Sequence, residues 1–140
     1  MNLSKLKKLS HLVEADFLAT QSQFRTIVAE ETRLRSMLRD LDTQEQAGRI
    51  RIQSDPTIKS IGGDVTWHRW ISMTRERLNT QLARVLAEKG RIQEVFQETG
   101  GRSAVVDKMV SEGRKKERQK TRLAELQELN NHFVLTNCKD

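Results

Sequence analysis

Leu6, Val13, Thr20, Ile27, Leu34 and Leu41 stand seven residues apart, and no fold but a long helix makes sense of that interval. A companion series displaced by four holds Phe17, Phe24, Leu38 and Ile52, with Ser10, Glu31 and Glu45 as polar members. On a helix the two series trace one narrow stripe, the seam of a coiled coil in which each apolar side chain sits between four of a partner helix. About 50 residues without proline make a rod of roughly 75 Å. On the outer face Glu31 precedes Arg35 and Glu45 precedes Arg49 by four residues, the favoured order for a stabilising ion pair.

Composition agrees with an elongated helical protein. Of 140 residues, 36% are hydrophobic and 4% aromatic, too little apolar material for a thick globular core, while 31% are charged. The helical spacing of the apolar residues separates the chain from disordered sequences of similar polarity. No apolar run reaches the length of about 18 residues that a membrane span needs. The start, "MNLSKLKKLSHLVEAD", lacks the uninterrupted apolar stretch of a signal peptide, so a soluble intracellular protein without membrane insertion is expected. Cys138 is the single cysteine and is expected as an exposed thiol without an internal disulfide.

The regular pattern fails at "SDPTIKSIGGDVTWHRW". Pro56 disfavours helical geometry at Asp55, and Gly62-Gly63 admit positive dihedral angles, so the chain reverses here. Asp64 or Thr66 then caps a second helix, whose stripe runs through Trp67, Ile71, Thr74 and Leu78, steps once to Leu82, and continues through Val85, Lys89, Ile92 and Phe96. A short connection makes the second helix the antiparallel partner of the first. The expected fold is therefore all-α, a long antiparallel two-helix coiled-coil hairpin in a single domain over 1–140. Helix one spans about 3–54, the reversal about 55–64 and helix two about 65–136. The alternative is a three-helix bundle, with a break at Gly100-Gly101 and Ser103 capping the third helix.

If the reversal centres near Ser60, residues whose numbers sum to about 120 face each other, which sets Phe24 near Phe96 and Leu41 near Asn79 to Leu82. Val105, Val106, Met109 and Val110 continue the second arm, whose last 20 or so residues overhang Met1. The polar seam members Glu31, Glu45 and Lys89 predict marginal stability in isolation. Trp67 belongs to the seam and Trp70 lies at its edge, so the aromatic pair either seals the turn or presents an anchor to a partner.

"SEGRKKERQKTR", Ser111 to Arg122, contains no large apolar residue. Arg114, Arg118 and Arg122 recur every four residues on one face, beside Lys115, Lys116 and Lys120, and like charges at that spacing repel. The pairing rule brings this stretch close to Lys5, Lys7 and Lys8, so the open end of the hairpin is a basic tip. Such a tip is either a solvated face or an electrostatic plug for an acidic partner.

Catalytic patterns are lacking. His11, His68 and His132 stand far apart, with no carboxylate or cysteine at ligand spacing, and the glycine pairs neither follow a strand nor precede Lys-Ser or Lys-Thr. No enzyme, metal or cofactor is expected.

A helical hairpin of this length with a basic and then leucine-containing final arm, "DKMVSEGRKKERQKTRLAELQELNNHF", resembles the FliJ family of flagellar type III export proteins and their injectisome counterparts of the YscO type. The resemblance implies a non-enzymatic stalk, similar to the central shaft of rotary ATPases, at the cytoplasmic base of an inner-membrane secretion apparatus. The paired termini would enter the hexameric export ATPase ring and promote its assembly and activity, which assigns ring contact to Lys5, Lys7, Lys8, Arg114, Lys115, Lys116 and Arg118. An apolar face near the start of the second helix would meet the cytoplasmic domain of the export gate, which assigns that contact to Trp67, Trp70, Ile71 and Thr74. Export chaperones are further implied partners. Two rival readings remain. One is a scaffold or tether that dimerises through its seam. The other is a basic coiled coil that binds nucleic acid, against which stand the interspersed acidic residues and the near balance of charge outside Ser111 to Arg122.

Overall fold

A computed structural model describes residues 2–138. Three helices follow in order, α1 (Leu3–Ser54), α2 (Pro56–Ser60) and α3 (Gly63–Asn137). The long helices α1 and α3 pack antiparallel across a short linker, a helical hairpin. The chain divides into two compact units: a reversal unit, Thr20–Phe96, and a terminal unit, Met1–Ala19 with Gln97–Asp140.

Local chemistry explains the reversal. Asp55 is extended (φ −127°, ψ 99°) and caps α2, its carboxylate accepting from the Thr57 backbone N–H at 3.0 Å and from the Thr57 hydroxyl at 2.6 Å. Those two bonds hold the Asp55 carboxyl below the usual carboxylate range. Pro56 occupies the first turn, where its missing donor costs nothing. The expected reversal thus contains a helical turn of its own. Gly62 then takes the left-handed conformation, φ +75°, and Gly63 does not. Gly63 serves another purpose, since a Cβ there would lie 3.0 Å from the Ile58 methyl Cγ2 and 3.1 Å from the Ile58 carbonyl oxygen. α3 starts at Gly63, two residues earlier than expected, so Asp64 and Thr66 lie within its first turn instead of capping it. The Thr66 hydroxyl donates to the Gly62 carbonyl at 3.2 Å.

In the reversal unit the seam closes over Leu34, Leu41, Ile71 and Leu78, with Leu38, Trp67, Leu82 and Val85 packed against them. Phe24 and Phe96 stack at 5.5 Å with nearly parallel rings, 8° apart, as the pairing rule requires. The polar seam members meet partners on the facing helix. Lys89 Nζ donates to Glu31 at 2.6 Å, and Arg75 pairs with Asp42 at 2.5 Å and with Glu45. The intrahelical pairs Arg35–Glu31 at 3.1 Å and Arg49–Glu45 at 2.9 Å are formed as well. Glu31 therefore accepts from two cations, Lys89 foremost and then Arg35, and its carboxyl is held below the ordinary value.

The terminal unit has a smaller core of Leu6, Val106 and Val110 with Val13 against it. Ser10 donates to Asp107 across the helices at 3.3 Å. α3 runs unbroken through Gly100-Gly101, which removes the three-helix alternative, and Ser103 lies inside the helix as a half-buried residue. Gly100 supplies room instead of a break: a Cβ there would stand 3.2 Å from the Phe17 ring. Gly113 does the same for Leu3, whose methyl would lie 3.0 Å from such a Cβ. Each glycine costs the helix about 1 kcal/mol relative to alanine, and close packing of the facing side chain offsets it. From Arg114 to Cys138 every residue is exposed, so α3 overhangs as expected.

Candidate interaction surfaces

At the reversal, Trp67 and Trp70 stack at 5.2 Å with 27° between their planes. Trp67 turns inward. Its indole nitrogen is buried, without a hydrogen-bond partner among the described residues, and a Cβ on Gly48 would lie 2.4 Å from it. Gly48 is thus the hollow that receives the indole, an unusual tolerance of an unsatisfied donor in return for close packing. Beside the indole an apolar pocket of ≈ 450 Å³ is lined by Gln44, Ala47, Arg51, Ile52 and Ile58 among others.

Trp70 turns outward and is 46% exposed. The aromatic pair therefore divides the two roles that the sequence left open, one ring sealing the turn and one facing solvent. Of the residues expected together at a partner surface, Ile71 is a core residue, 3% exposed between Leu34, Leu41 and Leu78. Its position in the seam, three residues ahead of Thr74 and seven ahead of Leu78, dictates that burial. Thr74 is half-buried. The exposed large apolar residues near the reversal are instead Ile50, Ile61, Val65, Trp70 and Met73, of which sequence reasoning found Trp70 alone. The others fall off the seam period, and this is the signal that could have identified them as outward-facing.

In the terminal unit, Lys5, Lys7, Lys8, Arg114, Lys115, Lys116 and Arg118 are all exposed. Lys7, Arg114, Arg118 and Arg122 line one groove with Leu3 and Thr121, together with Glu117 and Glu125. Lys116 and Lys120 border a second groove along Asn2, Leu3 and Leu6. Lys5, Lys8 and Lys115 line neither, so the structure gathers part of the expected set around the end of α1 and leaves the rest on outer faces. Among the described residues none of these basic side chains takes part in an ion pair, whereas Arg33, Arg35, Arg49, Arg75, Lys89, Arg91 and Arg102 all do. Leu3 seated in the Gly113 hollow fixes the level at which α1 begins beside α3.

No group of three or more His, Cys, Asp or Glu among the described residues is arranged to hold a metal ion. No helix among them is long and apolar enough to cross a membrane. Compared with known proteins, the chain matches no family model, no characterised protein sequence and no solved structure.

Proposed function

We propose that the chain is a non-enzymatic stalk of a flagellar or injectisome type III export apparatus, whose basic end enters the hexameric export ATPase ring and promotes its assembly and activity. The observation that carries this reading is the concentration of cations where α1 begins beside α3, with Lys7, Arg114, Arg118 and Arg122 around one groove and none of them in an ion pair among the described residues. Arg114, Arg118 and Arg122 repel one another along one helical face, and an acidic channel would relieve that repulsion on binding. A two-helix end is narrow enough for such a channel, at roughly 10 Å per helix.

The reversal unit supplies the second contact. Trp70, with Ile61, Val65 and Met73, offers the apolar anchor by which the stalk would reach the cytoplasmic domain of the export gate, while Trp67 and Ile71 support it from the core. Export chaperones complete the proposed partners, and the working location is the cytoplasmic base of the inner-membrane apparatus.

The test is ATP hydrolysis and ring assembly by the export ATPase of the same organism, with and without this protein. A parallel sample carries Arg114, Lys115, Lys116 and Arg118 changed to Glu. Stimulation that the charge reversal abolishes supports the stalk. Absence of stimulation and of co-assembly at low salt overturns it.

A further inference from the structure

The terminal unit carries an apolar line that belongs to neither the seam nor the groove of Arg114 and Arg118, and that meets the groove of Lys116 and Lys120 at Leu123. Leu9 and Leu12 on α1 are 37% and 70% exposed, and Val105 and Met109 on α3 are 59% and 40% exposed. Relative to their seam neighbours Leu6, Val13, Val106 and Val110, all four are rotated in the same sense about their own helix. In an antiparallel pair that rotation brings them to one flank of the hairpin. The line continues along the overhang. There Leu123, Leu126 and Phe133, 61%, 55% and 64% exposed, occupy the same turn positions as Met109 and Val105. The straight continuation of the seam, through Glu117, Lys120, Ala124 and Gln127, holds no large apolar residue. Packing of the seam kind therefore does not explain these leucines.

Charge decides what can cover this flank. Lys5, Lys8, Lys108 and Lys116 border or interrupt the apolar line, and none of them is ion-paired among the described residues. A second copy would bring the same cations against themselves. Glu112, Gln119 and Asn130 also interrupt the line, and such polar breaks in a helical stripe suit a partner helix held in one register better than a lipid surface, which rewards continuous apolar area.

We propose that this flank of the terminal unit binds an amphipathic helix of a partner protein, one whose apolar stripe is edged by carboxylates. The helix lies against Leu9, Leu12, Val105 and Met109 and completes a three-helix bundle there. It extends along Leu123, Leu126 and Phe133, and so orders an overhang that otherwise stands alone, since a single basic helix is marginal in water. This surface is distinct from the Arg114 and Arg118 groove, and the proposal stands whatever that groove binds.

The probe is a fluorescein-labelled peptide of about four heptads with Leu at both seam positions and Glu at both flanking positions, titrated with the full chain and followed by anisotropy. Saturable binding is expected. Leu12→Glu and Leu126→Glu should each weaken it at least about tenfold, while Leu18→Glu, exposed on the opposite flank, should leave it unchanged. A version of the peptide with Lys in place of Glu should bind at least about tenfold more weakly. Circular dichroism of each variant confirms the hairpin. Lack of binding, equal binding of the two peptides, or equal loss with Leu18→Glu overturns the proposal. So does binding to phosphatidylglycerol vesicles that the acidic peptide does not displace, or a Leu12-dependent homodimer in the absence of peptide.

Discussion

The indole nitrogen of Trp67 lies where a side chain on Gly48 would begin: a Cβ at that glycine would be 2.4 Å from it and 2.5 Å from the neighbouring ring carbon. A backbone hollow on α1 and an aromatic knob on α3 thus fix the level of the two helices next to the turn. Gly48→Ala is expected to destabilise the hairpin by about 1–3 kcal/mol through overpacking, despite the helix propensity that alanine adds. Gly90→Ala is the control, because nothing stands within 4 Å of that glycine, and it should stabilise by about 0.5–1 kcal/mol. Urea unfolding of both variants checks the opposite signs.

The Glu31–Lys89 pair predicts an acid dependence. The folded-state pKa of Glu31 lies below its unfolded value of 4.5, so its contribution is fully present above that value and is lost as pH falls through the folded pKa. Unfolding midpoints measured from pH 6 down to pH 3 should fall more steeply for the native protein than for Glu31→Gln. Equal slopes would mean that the pair adds nothing to folding.

Continuity of α3 through Gly100-Gly101 makes a second contrast between adjacent glycines. Gly101 faces open space, and Gly101→Ala should raise stability by about 0.5–1 kcal/mol. Gly100→Ala meets the Phe17 ring at 3.2 Å, so much or all of the same gain should be lost. Thermal melts followed by circular dichroism distinguish the two, and a break between these residues would make both substitutions indifferent.

Trp70 should report on partner binding without reporting on folding. Trp70→Ala removes a 46% exposed ring and is expected to cost at most about 1 kcal/mol of stability, whereas Trp67→Ala empties a packed position and should cost about 3–5 kcal/mol. If the apolar surface at the reversal binds the export gate, pull-down with the gate's cytoplasmic domain should weaken at least about tenfold with Trp70→Ala.

The periodic features were legible in the sequence. Heptad spacing located α1, the reversal and the facing of Phe24 by Phe96, because a stripe of fixed period admits one pairing once the turn is placed. The glycines were not legible. Gly48, Gly100 and Gly113 accommodate Trp67, Phe17 and Leu3 from the facing helix, and a glycine code alone cannot distinguish a hollow for a distant side chain from a turn. Ile71 shows the same difficulty in a binding surface, since apolar residues three apart at a helix start read alike until the seam decides which one is buried. At the basic end the sequence identified the cations; the level set by Leu3 and Gly113 brings Lys7 beside Arg114 and Arg118, and the helical face turns Lys5 and Lys8 away from that groove.

In the proposed stalk the basic end, and not the reversal, works inside the ATPase ring. The most direct test of that placement puts a single cysteine either at Arg118 or at Ile61, both on a Cys138→Ser background, and attaches a photo-crosslinker before ATPase assembly. Crosslinks to ring subunits are expected from Arg118→Cys and none from Ile61→Cys. Crosslinks from Ile61→Cys alone, or equally from both, would contradict that placement.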